Sequence, residues 1–132
     1  GYKYHGNSIM AALGIVALKY LDEDNQYRRI LSARYMKNLS GRIDFIEHES
    51  DQTSRHIFQI IVNNREQTIR HLTQNDIYPG VHYRNNEAYQ PYKTEQMLAR
   101  TQYYSERILS LPLHPQLTIE DIDRICEVLL TA

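Results

Sequence analysis

The chain has 132 residues, enough for one domain around a modest single core. Its net charge is −1, which removes the electrostatic case for nucleic-acid binding, and the 23% charged and 42% apolar content is that of an ordinary globular domain. The single cysteine, Cys126, excludes an internal disulfide, and no apolar run reaches membrane-spanning length, so a cytoplasmic protein without membrane association is the default expectation. The chain opens with no start methionine and no signal segment and reads as part of something larger. Eleven tyrosines stand against two phenylalanines and no tryptophan. Tyrosine joins apolar area to a polar tip, so the excess suits half-buried packing or, as the second choice, a stacking surface.

In chain order, an aromatic and basic run (Tyr2, Lys3, Tyr4, His5) leads through Gly6-Asn7-Ser8 into a helix over 8–20, with Ile9, Ala12, Leu13, Val16 and Tyr20 at helical spacing. Polar groups ahead of a helix suit an anion, because the first helical N–H groups are unpaired, although an ordinary cap reads the same way. Asp22-Glu23-Asp24-Asn25 breaks this pattern and caps a second helix over 24–39. That helix has an apolar stripe of Tyr27, Ile30, Leu31, Tyr35 and Leu39, with Arg28, Arg29, Arg34 and Lys37 on a solvated face. Ser40-Gly41 ends it.

Strands are predicted over 42–48, with Ile43 and Phe45 on one face, and over 56–62, with a polar connection between them. A helix over 65–75 follows, with Ile69 and Leu72 inward, then a short third strand over 81–84 and an irregular stretch to Lys93. Residues 94–109 are predicted helical, with Met97, Leu98, Tyr104 and Ile108 inward. Leu111-Pro112-Leu113-His114-Pro115 must be extended, because proline disfavours helix at the residue before it. Thr118 caps a last helix to Leu130, with Glu120, Asp121 and Asp123 at its positive end and Ile122, Ile125, Cys126 and Leu129 as its buried stripe. The expected fold is α+β: a small antiparallel or mixed sheet of about three strands with helices packed on it, forming a single domain over 1–132.

The six histidines (5, 48, 56, 71, 82 and 114) show no metal-ligand spacing, and one cysteine is too few for a zinc cluster. His114, held in rigid chain, reads as a packing or capping residue. Cys126, on an apolar helix face, reads as a core thiol rather than a nucleophile. The cluster His82-Tyr83-Arg84-Asn85-Asn86 brings donors and a cation to a loop entry, where a sugar hydroxyl or a phosphate could bind, or where the loop is merely polar.

The opening GYKYHGNSIMAALG, followed by LKYLDEDNQYRR, resembles the DegT/DnrJ/StrS family of nucleotide-sugar aminotransferases. In that family a G-Y-(N or K)-Y segment runs into a helix ending in Q-L-x-x-L-D, and a second helix opens with R-R. The later pieces follow in order: Pro79-Gly80-Val81-His82-Tyr83, Gln90-Pro91-Tyr92, and Ile108-Leu109-Ser110-Leu111-Pro112-Leu113-His114-Pro115 ahead of Leu117-Thr118 and Asp121-Ile122. The family's R-M-(S or T)-D-I-Q entry stands here as His5-Gly6-Asn7-Ser8-Ile9-Met10, and its H-L-Q-P-Y histidine is replaced in the stretch Asn86-Glu87-Ala88-Tyr89.

The resemblance implies the C-terminal small domain of a fold-type I pyridoxal phosphate (PLP) enzyme, with the catalytic large domain absent from the chain. The parent enzyme would be a homodimer that moves an amino group, typically from glutamate, onto a keto nucleotide-sugar for glycan synthesis. PLP chemistry needs a lysine that forms an imine with the cofactor and an acid beside its pyridine nitrogen. The four lysines here (3, 19, 37 and 93) offer neither context, and in the family both groups lie upstream, so no catalytic residue and no metal ligand is assigned. Lys3 is implied as a cofactor-binding residue that reaches across the dimer toward the neighbour's cofactor phosphate or substrate. His5, His82, Tyr83, Arg84 and Asn85 are implied as substrate-binding residues. Two other readings stay open: a free-standing interaction module, and the same domain of a PLP-dependent sugar dehydratase.

Overall fold

The computed structural model describes residues 6–47, 53–93, 95–96 and 98–132. Among the described residues, five α-helices and a three-stranded antiparallel sheet make an α+β body, as expected. Helix α1 spans Ser8–Leu18, and the Asn7 side chain accepts from the Met10 N–H at 2.8 Å to cap it. Helix α2, Leu21–Leu39, begins three residues earlier than predicted. Asp22, Glu23 and Asp24 do not break the helical run; they occupy the first turn of α2, where negative charge complements the helix dipole. Ser40 caps α2, and Gly41 follows in the left-handed region at φ +73°, where only a residue without a β-carbon is unstrained.

Strand β1 is Asp44–Phe45 and strand β2 is Phe58–Ile61, both shorter than predicted. They pair antiparallel, with Asp44 opposite Ile61 and Phe45 opposite Ile60. Helix α3, Arg65–Gln74, follows and is capped by Asn64. The predicted strand over 81–84 does not form. Gly80 makes one isolated antiparallel bridge to Ser110, and the chain then leaves the sheet through two single 3-10 turns, Asn86–Ala88 and Gln90–Tyr92. The third strand is instead β3, Ile108–Leu111, which pairs antiparallel with β2 from Phe58–Leu111 to Ile61–Ile108. The first half of β3 falls inside the predicted helix over 94–109, which forms only as α4, Ala99–Arg107. Alternation explains the switch: Leu109 and Leu111 turn inward opposite Ile60 and Phe58, and Pro112 holds Leu111 extended.

Helix α5 is Ile119–Leu129. Thr118 accepts from the Asp121 N–H at 3.1 Å, and the Asp121 carboxylate accepts from the Thr118 N–H at 2.9 Å, a complete capping box. The Asp121 carboxyl is held below its usual range by the Thr118 backbone and hydroxyl.

The core lies where α2 and α5 pack against one face of the sheet. Leu31, Tyr35 and Leu39 of α2 are fully buried, as are Ile60, Leu72, Leu109 and Ile122, and the Ile125, Cys126 and Leu129 stripe closes over them. Tyr35 stacks on Phe58 with ring centroids 4.7 Å apart and donates its hydroxyl to the Pro112 carbonyl at 2.8 Å, so the buried polar tip is satisfied. Burial raises that phenol well above its ordinary range. Arg34 does not belong to a solvated face: its guanidinium donates twice to the Asp123 carboxylate, at 2.6 and 2.5 Å, and Asn38 donates to the same group at 2.7 Å.

Other inward assignments are corrected by the same packing. Ile30 is half exposed, and α4 buries none of its residues, with Leu98 and Tyr104 exposed. Met97 lies outside the described residues. The His114 side chain is exposed and its backbone carbonyl accepts from Leu117, so it is no packing residue. Helix α1 contacts α2 but buries nothing: Ile9, Leu13, Val16 and Tyr20 are all more than half exposed.

Candidate functional site

The loop from Gly80 to Tyr92 is built out from the outer edge of β3. Gly80 donates to the Ser110 carbonyl at 2.9 Å and accepts from the Ser110 N–H at 2.8 Å, which anchors the loop entry to β3. Two residues later the Gln59 side-chain amide donates to the His82 carbonyl at 2.6 Å, doing for the loop what a further ladder bond would do for a strand. The His82 ring folds back onto Gly80. A β-carbon at position 80 would stand 2.5 Å from His82 Cε1, so only glycine admits the ring there.

His82 therefore faces the body of the domain. Its Nδ1 is buried and makes no hydrogen bond among the described residues, and its ring meets Tyr83 edge-on at 5.2 Å. Tyr83 turns the other way and is 74% exposed. Tyr83, Arg84 and Asn85 line an open cleft of about 540 Å³ together with Tyr92, Thr101 and Tyr104. The structure thus brings together three of the sequence-predicted site residues and sets His82 behind them. Asn85 is partly engaged already: its carbonyl oxygen accepts from the Glu87 N–H at 3.1 Å and its amide donates to the Glu87 carboxylate at 3.0 Å. Arg84 is exposed at the rim, placed for an anion or a sugar oxygen. Lys3 and His5 lie outside the described residues.

Tyr92, Thr101 and Tyr104 are not assigned to a site by the sequence. Tyr104 was read as core, yet it lines this cleft from α4, and the tyrosine excess was the signal that could have found it. Tyr20, Tyr78, Tyr83, Tyr89, Tyr92, Tyr103 and Tyr104 are all exposed, against one fully buried ring, Tyr35. Half-buried packing therefore does not account for the excess among the described residues. Tyr103, next to Tyr104, stacks under the Arg107 guanidinium at 4.3 Å.

The described lysines do not provide the setting that a cofactor-linking lysine needs. Lys19, Lys37 and Lys93 are all exposed. Among the described residues no group of three or more metal-binding side chains comes together, and no helix is long and apolar enough to cross a membrane. Cys126 is a core thiol, pushed up to about 11 chiefly by burial.

A capped, helix-backed sheet that presents a polar and aromatic loop is the architecture of part of the fold-type I sugar aminotransferases. Residues 1–130 match the model of the DegT/DnrJ/EryC1/StrS aminotransferase family, and the chain belongs to that family. It is similar to the dTDP-3-amino-3,6-dideoxy-alpha-D-galactopyranose transaminase of Aneurinibacillus thermoaerophilus, 28% identical over 127 residues that make up 92% of this chain and 35% of the relative. A Streptococcus pneumoniae protein described as a sugar aminotransferase, solved in apo, PMP and PLP forms, superposes with a TM-score of 0.89 at 29% identity, over 99% of this chain and 36% of that one. The sugar aminotransferase CalS13 of Micromonospora echinospora shares the fold, with a TM-score of 0.90 at 24% identity over 100% of this chain and 37% of its own. The chain thus spans little more than a third of the length of these relatives.

Proposed function

We propose that this chain is the C-terminal small domain of a PLP-dependent aminotransferase that transfers an amino group from glutamate to a keto nucleotide-sugar, and that it supplies substrate-binding groups to a catalytic centre formed elsewhere. The cofactor, when bound, supplies the electron sink for the amino transfer. The described residues of this chain do not fit as its covalent holder, so no chemical step is assigned to them. Their part is to bind and orient the sugar nucleotide: Arg84 and the Asn85 and Tyr83 groups at the mouth of the 540 Å³ cleft, with Tyr92 and Tyr104 as an aromatic wall. Lys3 and His5 belong to the same proposal on the strength of the family motif, Lys3 as a cofactor-phosphate contact across a homodimer.

The observation that carries the reading is the pairing of this cleft with a bare apolar helix. Ile9, Met10, Leu13, Ile15, Val16 and Leu18 of α1 are all at least half exposed, which is the condition of a surface made to be covered by a further body. A stand-alone interaction module would use the same helix, but it would have no use for a loop pinned to the sheet by a side chain.

The test is steady-state kinetics of the full-length enzyme with saturating glutamate. Arg84→Ala is expected to raise the apparent KM for the nucleotide-sugar about tenfold, the loss that one charge-assisted hydrogen bond represents, with a smaller change in kcat. An unchanged KM contradicts the role of the loop.

A further inference from the structure

We propose that Gln59, in the middle of β2, is a positioning residue for the 82–85 loop, and that the side of the sheet away from the core sets how tightly the sugar is held. The inference rests on the reading above, in which that loop binds substrate. Phe58 and Ile60 turn into the core, so Gln59 between them points to the opposite face. Ser110 lies directly across from Gln59 on β3 and is itself bridged to Gly80, so three backbones run side by side beneath one side chain. From there the Gln59 amide crosses β3 and donates to the His82 carbonyl at 2.6 Å.

This bond stands at the point where the ladder stops. Beyond the Gly80 bridge, the loop leaves the sheet, and no backbone donor of β3 takes up the His82 carbonyl among the described residues. The His82 ring packs against Gly80, where a β-carbon would stand 2.5 Å from Cε1. With His82 held at its carbonyl and at its ring, Tyr83 and Arg84 are turned outward to the cleft. Gln59 is not among the residues that line the cleft and acts through His82.

The test uses the full-length enzyme, with saturating amino donor and Arg84→Ala as a reference for the loop itself. Gln59→Leu removes the donor at similar volume. It is expected to raise the sugar KM about fivefold and leave kcat within a factor of about two, because one neutral hydrogen bond is lost and no reacting group is touched. Gln59→Glu keeps the shape but presents a carboxylate to a carbonyl. Its KM relative to wild type is expected to be raised at pH 8 and to fall back as the pH is lowered and the carboxyl gains the proton it can donate. A side chain that only filled space would give a Gln59→Glu enzyme indistinguishable from wild type at every pH. Gly80→Ala, which displaces the His82 ring from the other side, is expected to raise KM as well.

If Arg84→Ala raises KM and both Gln59 variants leave it unchanged, the positioning role is overturned and the loop reading stands. If none of the variants moves KM, both fall. Should Gln59→Leu not fold, the pH dependence of Gln59→Glu decides alone.

Discussion

Asp123 shows what a single side chain can do that its position in the sequence does not reveal. As the fifth residue of α5, just after Glu120 and Asp121, it reads as a charge placed for the helix dipole. In the fold it crosses to α2 and takes a two-pronged bond from Arg34 and a third from Asn38. Those donors, Arg34 first and Asn38 second, hold its carboxyl down at about 2 against an ordinary 3.8. The folded state therefore binds this proton less readily than the unfolded chain. The stabilisation is complete above the ordinary carboxylate range and is lost as the pH falls through the folded value. In urea unfolding followed from about pH 5 down to about pH 2, the wild-type midpoint is expected to fall more steeply below about pH 4 than that of Asp123→Asn. Parallel curves would contradict the assignment. The neighbours of His82, from Gly80 to Asn85, carry the same lesson for the site. The sequence pointed to His82, Tyr83, Arg84 and Asn85 as one cluster, but not to the ring of His82 turning inward, which follows from the bare backbone at Gly80. It could not point to Gln59 at all, because the bond from Gln59 to His82 spans 23 positions.

At the scale of elements, legibility follows how local the determining forces are. Helix α5 was readable from end to end: Thr118 and Asp121 cap each other within four residues, and Ile122, Ile125, Cys126 and Leu129 fall on one face by spacing alone. Thr118→Ala removes the acceptor for the Asp121 N–H and is expected to cost about 1 kcal/mol of folding free energy, read as a shift in denaturant midpoint at unchanged m. A shift no larger than that of an exposed surface control would show that the box contributes nothing. Strand β3 was not readable. Ile108-Leu109-Ser110-Leu111 is a short apolar run that fits the end of a helix as well as a strand, and pairing with β2, nearly fifty residues upstream, decides between them. The predicted strand over 81–84 failed for the complementary reason: β3 offers its outer edge to Gly80 alone, and a side chain takes over from the ladder. The start of α2 was misplaced because an acidic run suits a helix entry as well as it suits a break.

At the scale of the whole molecule, the α+β class and the family were both readable, because they rest on ordered motifs spread along the chain rather than on any single contact. The burial of α1 was not. Its apolar residues recur at helical spacing, and that spacing says a face will be covered without saying by what. In the fold, residues 8–18 carry the longest exposed apolar surface of the described chain, while the core forms between α2, α5 and the sheet without them. Relatives nearly three times as long match almost all of this chain, which is the length relation expected if α1 is covered by further chain, as proposed above. The central claim is therefore that this domain works as part of a larger enzyme. The most direct measurement is the mass of the native polypeptide in its source cell, by immunoblot with an antibody raised to this chain. A single band far heavier than 15.6 kDa is the predicted result. A single band at 15.6 kDa would contradict it and leave a free-standing domain whose exposed helix serves another partner.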